Sequence, residues 1–411
     1  MTHATDDHFA PLNESVAGLD TQDDGGLRRP GRRGFLSLLA VPALFLAQPS
    51  PASSPVLGAL STEDAPRLRI PASFSGLRST GWMAEMRAEW AAFAQRYVTA
   101  EGRVVDTANG NISHSEGQGS ALLFAAEAGD LASFERILGW TRTTLGHRRD
   151  FLHSWRYSPT AITPVSDSNN ATDGDILIAW GLQRAAERFE RPDFARLAAK
   201  IASDIQDLCT RRVGSRLLLL PGLRGFEHRD HVVLNPSYYL FPALLDFERL
   251  VPGPEWRQLV TDGIDICCRS AAFGRWNLPA DWIEVPRDAT RPIRMAQDKP
   301  ARFSWDAVRV PLNLAWGRKS EEPMLNASAS FWTDPLHRGT VPAWVDLRTD
   351  GRAPYAGHAG VQAVALLATA SAGRRRTAPN LPRVAQASDY FAAALTLMAR
   401  MAWQDSQAVM S

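Results

Sequence analysis

Three short stretches of this chain set a carboxylate at the start of an apolar helical run. The first is His114-Ser115-Glu116-Gly117-Gln118-Gly119-Ser120, followed by Ala121-Leu122-Leu123-Phe124-Ala125-Ala126. Glycine lets backbone approach a ligand without side-chain bulk, and the helix gives Glu116 a rigid mount. An acid presented this way could reach a bulky polymer. An acid at a helix start is also stabilised by the helix dipole without any chemistry. The second stretch is Asn169-Asn170-Ala171-Thr172-Asp173-Gly174-Asp175, ahead of Ile176-Leu177-Ile178-Ala179-Trp180. Thr172 or Asp173 can cap that helix. Residues 173 and 175 point about 200° apart on a helix, so one faces a cleft and the other has a structural task. The third is Phe303-Ser304-Trp305-Asp306-Ala307-Val308-Arg309-Val310-Pro311. Asp306 and Arg309 stand at i,i+3, close enough for the cation to keep the carboxylate ionised. A general base needs that state. A plain surface ion pair is the alternative, and the apolar Phe303, Trp305 and Val308 around it argue against that.

The elements that must hold these residues are helical. Apolar residues at 3/4 spacing run from Trp82 to Val98, with Met83, Met86, Trp90, Phe93 and Tyr97 on one face. Further helical runs are expected near 117–129, 131–146, 174–188, 192–211, 236–250, 254–271, 304–317, 321–333, 357–371 and 385–404. Most are paired across short breaks such as Ala128-Gly129-Asp130 and Glu190-Arg191-Pro192-Asp193. Strand alternation is confined to Arg103-Val104-Val105-Asp106 and Arg216-Leu217-Leu218-Leu219-Leu220. The pattern predicts one all-α domain of helical hairpins over 81–405, either a solenoid or a closed toroid. Its irregular loops favour the toroid, with long connections at one end building a cleft.

Bulk properties narrow the function. The 411 residues carry a formal charge of +1. Residues 1–52 hold six acids and four bases, so the remainder has 41 Lys and Arg against 38 Asp and Glu, or +3. A near-neutral surface gives no electrostatic case for nucleic acid or an acidic membrane and suits a neutral substrate. Cys209, Cys267 and Cys268 form neither a disulfide framework nor a zinc pattern, and are expected to be buried thiols. No metal or cofactor is expected. Thirteen tryptophans exceed the needs of a core, and some are expected to stack on sugar rings. Arg28-Arg29-Pro30-Gly31-Arg32-Arg33-Gly34-Phe35-Leu36, an apolar run to Ala47 and a Pro/Ser/Ala exit read as a twin-arginine-type signal over 1–52, with a linker over 53–80. The apolar run is too short to span a bilayer, so the mature form carries no membrane anchor and is expected in the periplasm or secreted.

Together the three carboxylate segments resemble glycoside hydrolase family 8. The matching pieces are Ser115-Glu116-Gly117-Gln118-Gly119, Ala171-Thr172-Asp173-Gly174-Asp175 with Ile178-Ala179, and Trp305-Asp306-Ala307-Val308-Arg309, in family order over roughly 80–370. Glu101-Gly102-Arg103-Val104-Val105-Asp106, Trp155-Arg156-Tyr157 and Leu234-Asn235-Pro236-Ser237-Tyr238 resemble cellulases found with bacterial cellulose synthases. The resemblance implies an (α/α)6 barrel and inverting hydrolysis of β-1,4-glucan. It implies Glu116 as general acid, Asp306 as general base and Asp173 bonded to the distorted sugar. Inversion needs the acid and base about 6.5–9.5 Å apart, the acid with a raised pKa and the base an ordinary or lowered one. Arg309 near Asp306, with no cation in helical reach of Glu116, runs in that direction. Many relatives have Tyr before the base where this chain has Trp305, which stacks on sugar but cannot position water, and Tyr238 could do so instead.

Trp155 is the best sugar-stacking platform, with Trp282 and Trp276 divided between groove and core. His114 bonds near Glu116 or is structural, Trp140 and Trp180 are core, and Arg374-Arg375-Arg376 is a solvated loop. Partners follow: a β-1,4-glucan, and cellulose synthase machinery if the enzyme serves synthesis. The competing reading is a non-catalytic glucan-binding factor of cellulose export, or a xylanase or chitosanase of the same family.

Overall fold

The computed structural model describes residues 79–407 apart from residue 376. The expected signal, and all of the linker except Ser79 and Thr80, lie outside the described residues. Ser79 caps the first helix, its side chain accepting from the Trp82 backbone N–H. The eleven α-helices among the described residues are α1 (Thr80–Tyr97), α2 (Ser115–Ala128), α3 (Leu131–Thr144), α4 (Thr172–Phe189), α5 (Pro192–Leu208), α6 (Phe241–Phe247), α7 (Glu255–Ile264), α8 (Arg309–Trp316), α9 (Pro323–Thr333), α10 (Ala359–Ala372) and α11 (Tyr390–Gln407).

Local chemistry sets the hairpins. Gly129 ends α2 at φ 75°, and the next residue, Asp130, caps α3 by accepting from the Ser133 N–H at 3.0 Å. Glu190 ends α4 in the same left-handed conformation, and Pro192 opens α5. Helices α2, α4 and α8 are buried on almost every face, and α10 and α11 on most. Helices α1, α3 and α5 bury one face. An inner ring therefore runs α2, α4, α6, α8, α10, α11, each packed on the next, and α1 lies against both α11 and α2 to close the circuit. This is the closed (α/α)6 toroid.

Short strands sit in the loops. Ser113–His114 (β1) pairs with Arg156–Tyr157 (β2), and Thr210–Val213 (β3) with Arg216–Leu219 (β4). His231–Leu234 (β5), Ile283–Pro286 (β6) and Arg294–Met295 (β7) form an antiparallel sheet, and Arg302–Phe303 (β8) pairs with Val345–Asp346 (β9). The expected strand at 103–106 reduces to two bridges, Val98 with Val104 and Asp106 with Ile112.

Three helical expectations need correction. The run at 236–250 is a 3-10 turn, Pro236–Tyr238, followed by α6, because prolines 236 and 242 each start a helical turn. The run at 254–271 leaves α-geometry after Ile264 and finishes as a π-helical turn over Asp265–Ser270. The helix expected from 304 begins only at Arg309. Neither Thr172 nor Asp173 caps α4, whose N-cap is Ala171 with no side-chain bond. Trp180 is core, its Nε1 donating to Asp246 at 2.9 Å, but Trp140 is only half-buried, edge-on to Tyr157. Arg374 and Arg375 are exposed, and Arg376 lies outside the described residues. All three cysteines are buried and free.

Candidate active site

The inner helices all start at one end of the toroid, and the three candidate acids sit there. Glu116 is in the first turn of α2, Asp173 in the first turn of α4, and Asp306 three residues ahead of α8. Six helix N-termini gathered at one end make a positive field that suits a cluster of anions. The closeness of α2 and α4 depends on glycine. A Cβ on Gly174 would lie 2.7 Å from the Glu116 backbone nitrogen, and one on Gly119 would lie 2.6 Å from the Leu177 side chain. Gly117 and Gly119 are buried against Tyr390 and α4. They serve helix packing, not the approach of a polymer, which corrects the expectation from sequence.

Arg309 joins the three acids. Its Nη2 donates to Asp306 Oδ1 at 2.6 Å and its Nη1 to Asp173 Oδ2 at 3.0 Å, with Glu116 Oε2 3.4 Å from the same Nη1. All four side chains are largely shielded from solvent, Glu116 the least. The contacting oxygens of Glu116 and Asp306 are thus separated by at most two ion-pair distances plus the width of one guanidinium. That span is compatible with the separation of roughly 6.5–9.5 Å that inversion needs.

This geometry overturns the expected charge asymmetry. Arg309 reaches Glu116 as well as Asp306, so proximity to a cation does not distinguish them. Burial also outweighs Arg309 at Asp306: its carboxyl lies above its ordinary value, with Arg309 and Asn235 opposing and Glu116 adding to the rise. Burial pushes Asp173 up to about 7, Arg309 opposing and Glu116 again adding. Asp173 and Asp306, two buried carboxylates on one cation, cannot both ionise cheaply, and the proton they keep belongs to the pair.

The remaining predicted residues fall in two sets. Tyr238 lies over the cluster, with the Arg309 guanidinium 5.7 Å from its ring centroid. Its hydroxyl is held far above its usual value by burial and then by Asp173 and Asp306. Trp305 is half-buried and stacks on His358, at 5.7 Å and 12°. Trp155 is half-buried; its carbonyl accepts from Ser115 N–H at 3.0 Å and its Nε1 donates to Asp167 at 2.8 Å, tying it beside Glu116. Trp282 is buried, stacked on Phe226 at 5.9 Å and 5° and 6.3 Å from Tyr238. It backs Tyr238 instead of lining the surface. Trp276 packs on Phe331 and His337, away from the cluster. His114 caps α2, Nδ1 accepting from Gly117 N–H at 3.0 Å, with Nε2 3.3 Å from Asp106. Asp175 is structural, as the helical angle required: it accepts from the His153 backbone and ring at 2.9 Å each and from Asn170 at 3.0 Å.

Two residues escaped the sequence reading. Asn235 faces Asp306. Its Oδ1 is occupied by the Ser237 N–H at 3.0 Å and the Ser237 hydroxyl at 2.7 Å, so its NH₂ is the end left for the carboxylate. An Asx turn at Asn235-Pro236-Ser237 was the available signal. Asp281 accepts from the backbone N–H groups of Ser304 and Ala307, at 3.0 and 2.8 Å, and from the Ser304 hydroxyl. Nothing in the local sequence signals that role.

A family model, Glycosyl hydrolases family 8, matches residues 66–405. The chain belongs to that family. This family 8 chain is 44% identical to a probable endoglucanase of Novacetimonas hansenii, over 79% of this chain and 94% of the relative. It is 36% identical to an endoglucanase of Cellulomonas uda, over 67% and 75%. Its fold matches an endo-beta-1,4-glucanase from Acetobacter xylinum with a TM-score of 0.73 and 43% identity, covering 78% of this chain and 98% of that one. As a family 8 member it is an inverting glycoside hydrolase. Among the described residues no helix is long and apolar enough to cross a membrane.

Proposed function

We propose that this hydrolase cleaves internal β-1,4-glucosidic bonds of cellulose or a related glucan, with Glu116 as acid, Asp306 as base and Asp173 on the sugar at the cleavage point. The observation that carries the assignment is the single guanidinium of Arg309 that ties the three carboxylates together. Glu116, the most accessible of the three, gives its proton to the departing glycosidic oxygen. Asp306 takes a proton from the water that attacks the anomeric carbon from the opposite face. The glycosidic bond breaks, a C–O bond to water forms, and one proton has passed from Glu116 to Asp306 for return through solvent. Asp173, held by Arg309, bonds a hydroxyl of the sugar whose ring flattens on the way to the oxocarbenium-like transition state. Tyr238 and Asn235, both near Asp306, are the groups we assign to hold the attacking water. Trp155, bonded to the backbone next to Glu116, and Trp305, next to Asp306 in sequence, are the rings we assign to stacking on the sugars.

Export by the twin-arginine route, and a place beside cellulose synthase machinery, belong to the same proposal. They rest on the arginine-led leader and on the segments around Glu101, Trp155 and Leu234. The deciding experiment is Glu116→Gln on carboxymethyl-cellulose. Hydrolysis should fall at least about a hundredfold with glucan binding retained. Product anomers followed by proton NMR should be inverted; retained configuration would remove Asp306 from the base role. Wild type that binds β-1,4-glucan and never cleaves it, nor xylan or chitosan, would replace the proposal with a non-catalytic glucan-binding role.

A further inference from the structure

The residue that places Asp306 lies elsewhere in the chain. Before α8 the chain makes a tight turn over 304–308, closed by Val308 N–H to the Ser304 carbonyl and Arg309 N–H to the Asp306 carbonyl, each at 2.9 Å. The turn has its own N–H groups to satisfy. Asp281 supplies the acceptor from the segment leading into β6. One of its oxygens takes the N–H groups of Ser304 and Ala307, and the other takes the Ser304 hydroxyl. Asp281 is itself anchored, its N–H donating to the Arg302 carbonyl at 2.9 Å.

We propose that Asp281 is a positioning residue for Asp306, clamping the turn that bears the base. This rests on Asp306 being the base. Asp281 is buried and the clamp brackets Asp306 from both sides, so the backbone that carries Asp306 cannot shift without breaking one of the clamp's bonds. A neutral amide or hydroxyl could satisfy the turn. Use of a second acid, buried beside the first, has an electrical consequence. Burial, and then the charge of Asp306, push Asp281 up to about 7 against the pull of Ser304 and Ala307. An ionised Asp306 therefore keeps the proton on Asp281, which holds the turn as a neutral acid while the base is charged. The other groups facing Asp306 are Arg309 from α8, Glu116 from α2, Asp173 from α4, and Tyr238 and Asn235 ahead of α6. They are unchanged by substitution at 281.

Asp281→Asn keeps one oxygen for the two N–H groups, and Asp281→Ala removes the acceptor. We expect Asp281→Ala to lower kcat on carboxymethyl-cellulose about tenfold with KM within about twofold, and Asp281→Asn to return kcat to within about twofold of wild type. Ser304→Ala, which breaks only the hydroxyl bond, should lower kcat about threefold, and it serves if Asp281→Ala does not fold. A folded Asp281→Ala with wild-type kcat overturns the proposal, as does Ser304→Ala with wild-type kcat where Asp281→Ala does not fold. So does a loss that falls on KM instead of kcat, or one that Asp281→Asn does not rescue. Asp306→Asn separates this proposal from the reading beneath it. If Asp306→Asn stays active, the base assignment itself fails. If it is inactive while Asp281→Ala behaves as wild type, only the clamp is refuted.

Discussion

Arg309 is the residue on which three acids depend, and its fork geometry is what lets it serve them. A guanidinium presents separate N–H groups to different carboxylates, whereas an ammonium is a point charge. Arg309→Lys should therefore cost at least about a hundredfold in kcat although charge is conserved. Steady-state kinetics on carboxymethyl-cellulose check this, and a variant within threefold of wild type would show that charge alone suffices. The sequence made some of this cluster readable. The i,i+3 spacing exposed the Asp306 and Arg309 pair, and helical angle separated Asp173 from Asp175. It could not show that Arg309 also reaches Glu116 and Asp173, because those contacts bridge residues 193 and 136 positions apart. For the same reason the acid and base could not be ranked by nearby charge. Asp281 was hidden more completely, since it acts on main-chain N–H groups that every sequence contains.

At the level of elements, the α2–α4 contact is the joint that sets Glu116 beside Asp173. Alanine is normally better than glycine inside a helix by about 1 kcal/mol. At Gly119 the added Cβ would lie 2.6 Å from the Leu177 Cβ and 2.7 Å from the Ile178 backbone nitrogen. Backbone cannot step aside there. Gly119→Ala should destabilise the fold by about 1–3 kcal/mol despite its better propensity, measured by urea denaturation; a more stable variant would mean that the helices have slack. Most helices were legible because their apolar faces and caps are local. The run at 304–317 misled because Phe303, Ala307 and Val308 fit a helical face while Asp281 captures the N–H groups that begin the turn. The break at 236–240 was written in two prolines, outweighed by the apolar periodicity around them.

At the scale of the molecule, the buried acids give stability a distinctive dependence on pH. Burial raises Asp173 and Asp281 from the ordinary carboxylate value of 3.8 to about 7. Between roughly pH 4 and 7 the unfolded chain has released these protons and the folded one still holds them, so stability falls as pH rises through that window. Acids held below their ordinary value, such as Asp130, act in the opposite sense and only below about pH 4. Melting temperature should thus decline from about pH 4 to pH 7, and Asp173→Asn or Asp281→Asn should flatten the decline. Calorimetry across the range checks it, and a wild-type melting temperature that climbs throughout would sink the account. The hairpins alone left solenoid and toroid open; the irregular loops favoured the toroid, and the family resemblance implied its six-fold form. The collective charge state of its mouth was not predictable, since it emerges only when separate helices meet.

The toroid also divides the chain's freedom to vary. The connections that lead into α2, α4, α6, α8 and α10 are long, spanning 98–114, 145–171, 209–240, 271–308 and 334–358. Those leaving α2 and α4 are only 129–130 and 190–191. Insertions at the mouth can lengthen or reshape the groove while every helix keeps its register, and insertions at the far rim must break a hairpin. A lineage built on this barrel can therefore explore new polysaccharides by editing one face, with the acids and their shared cation left in place.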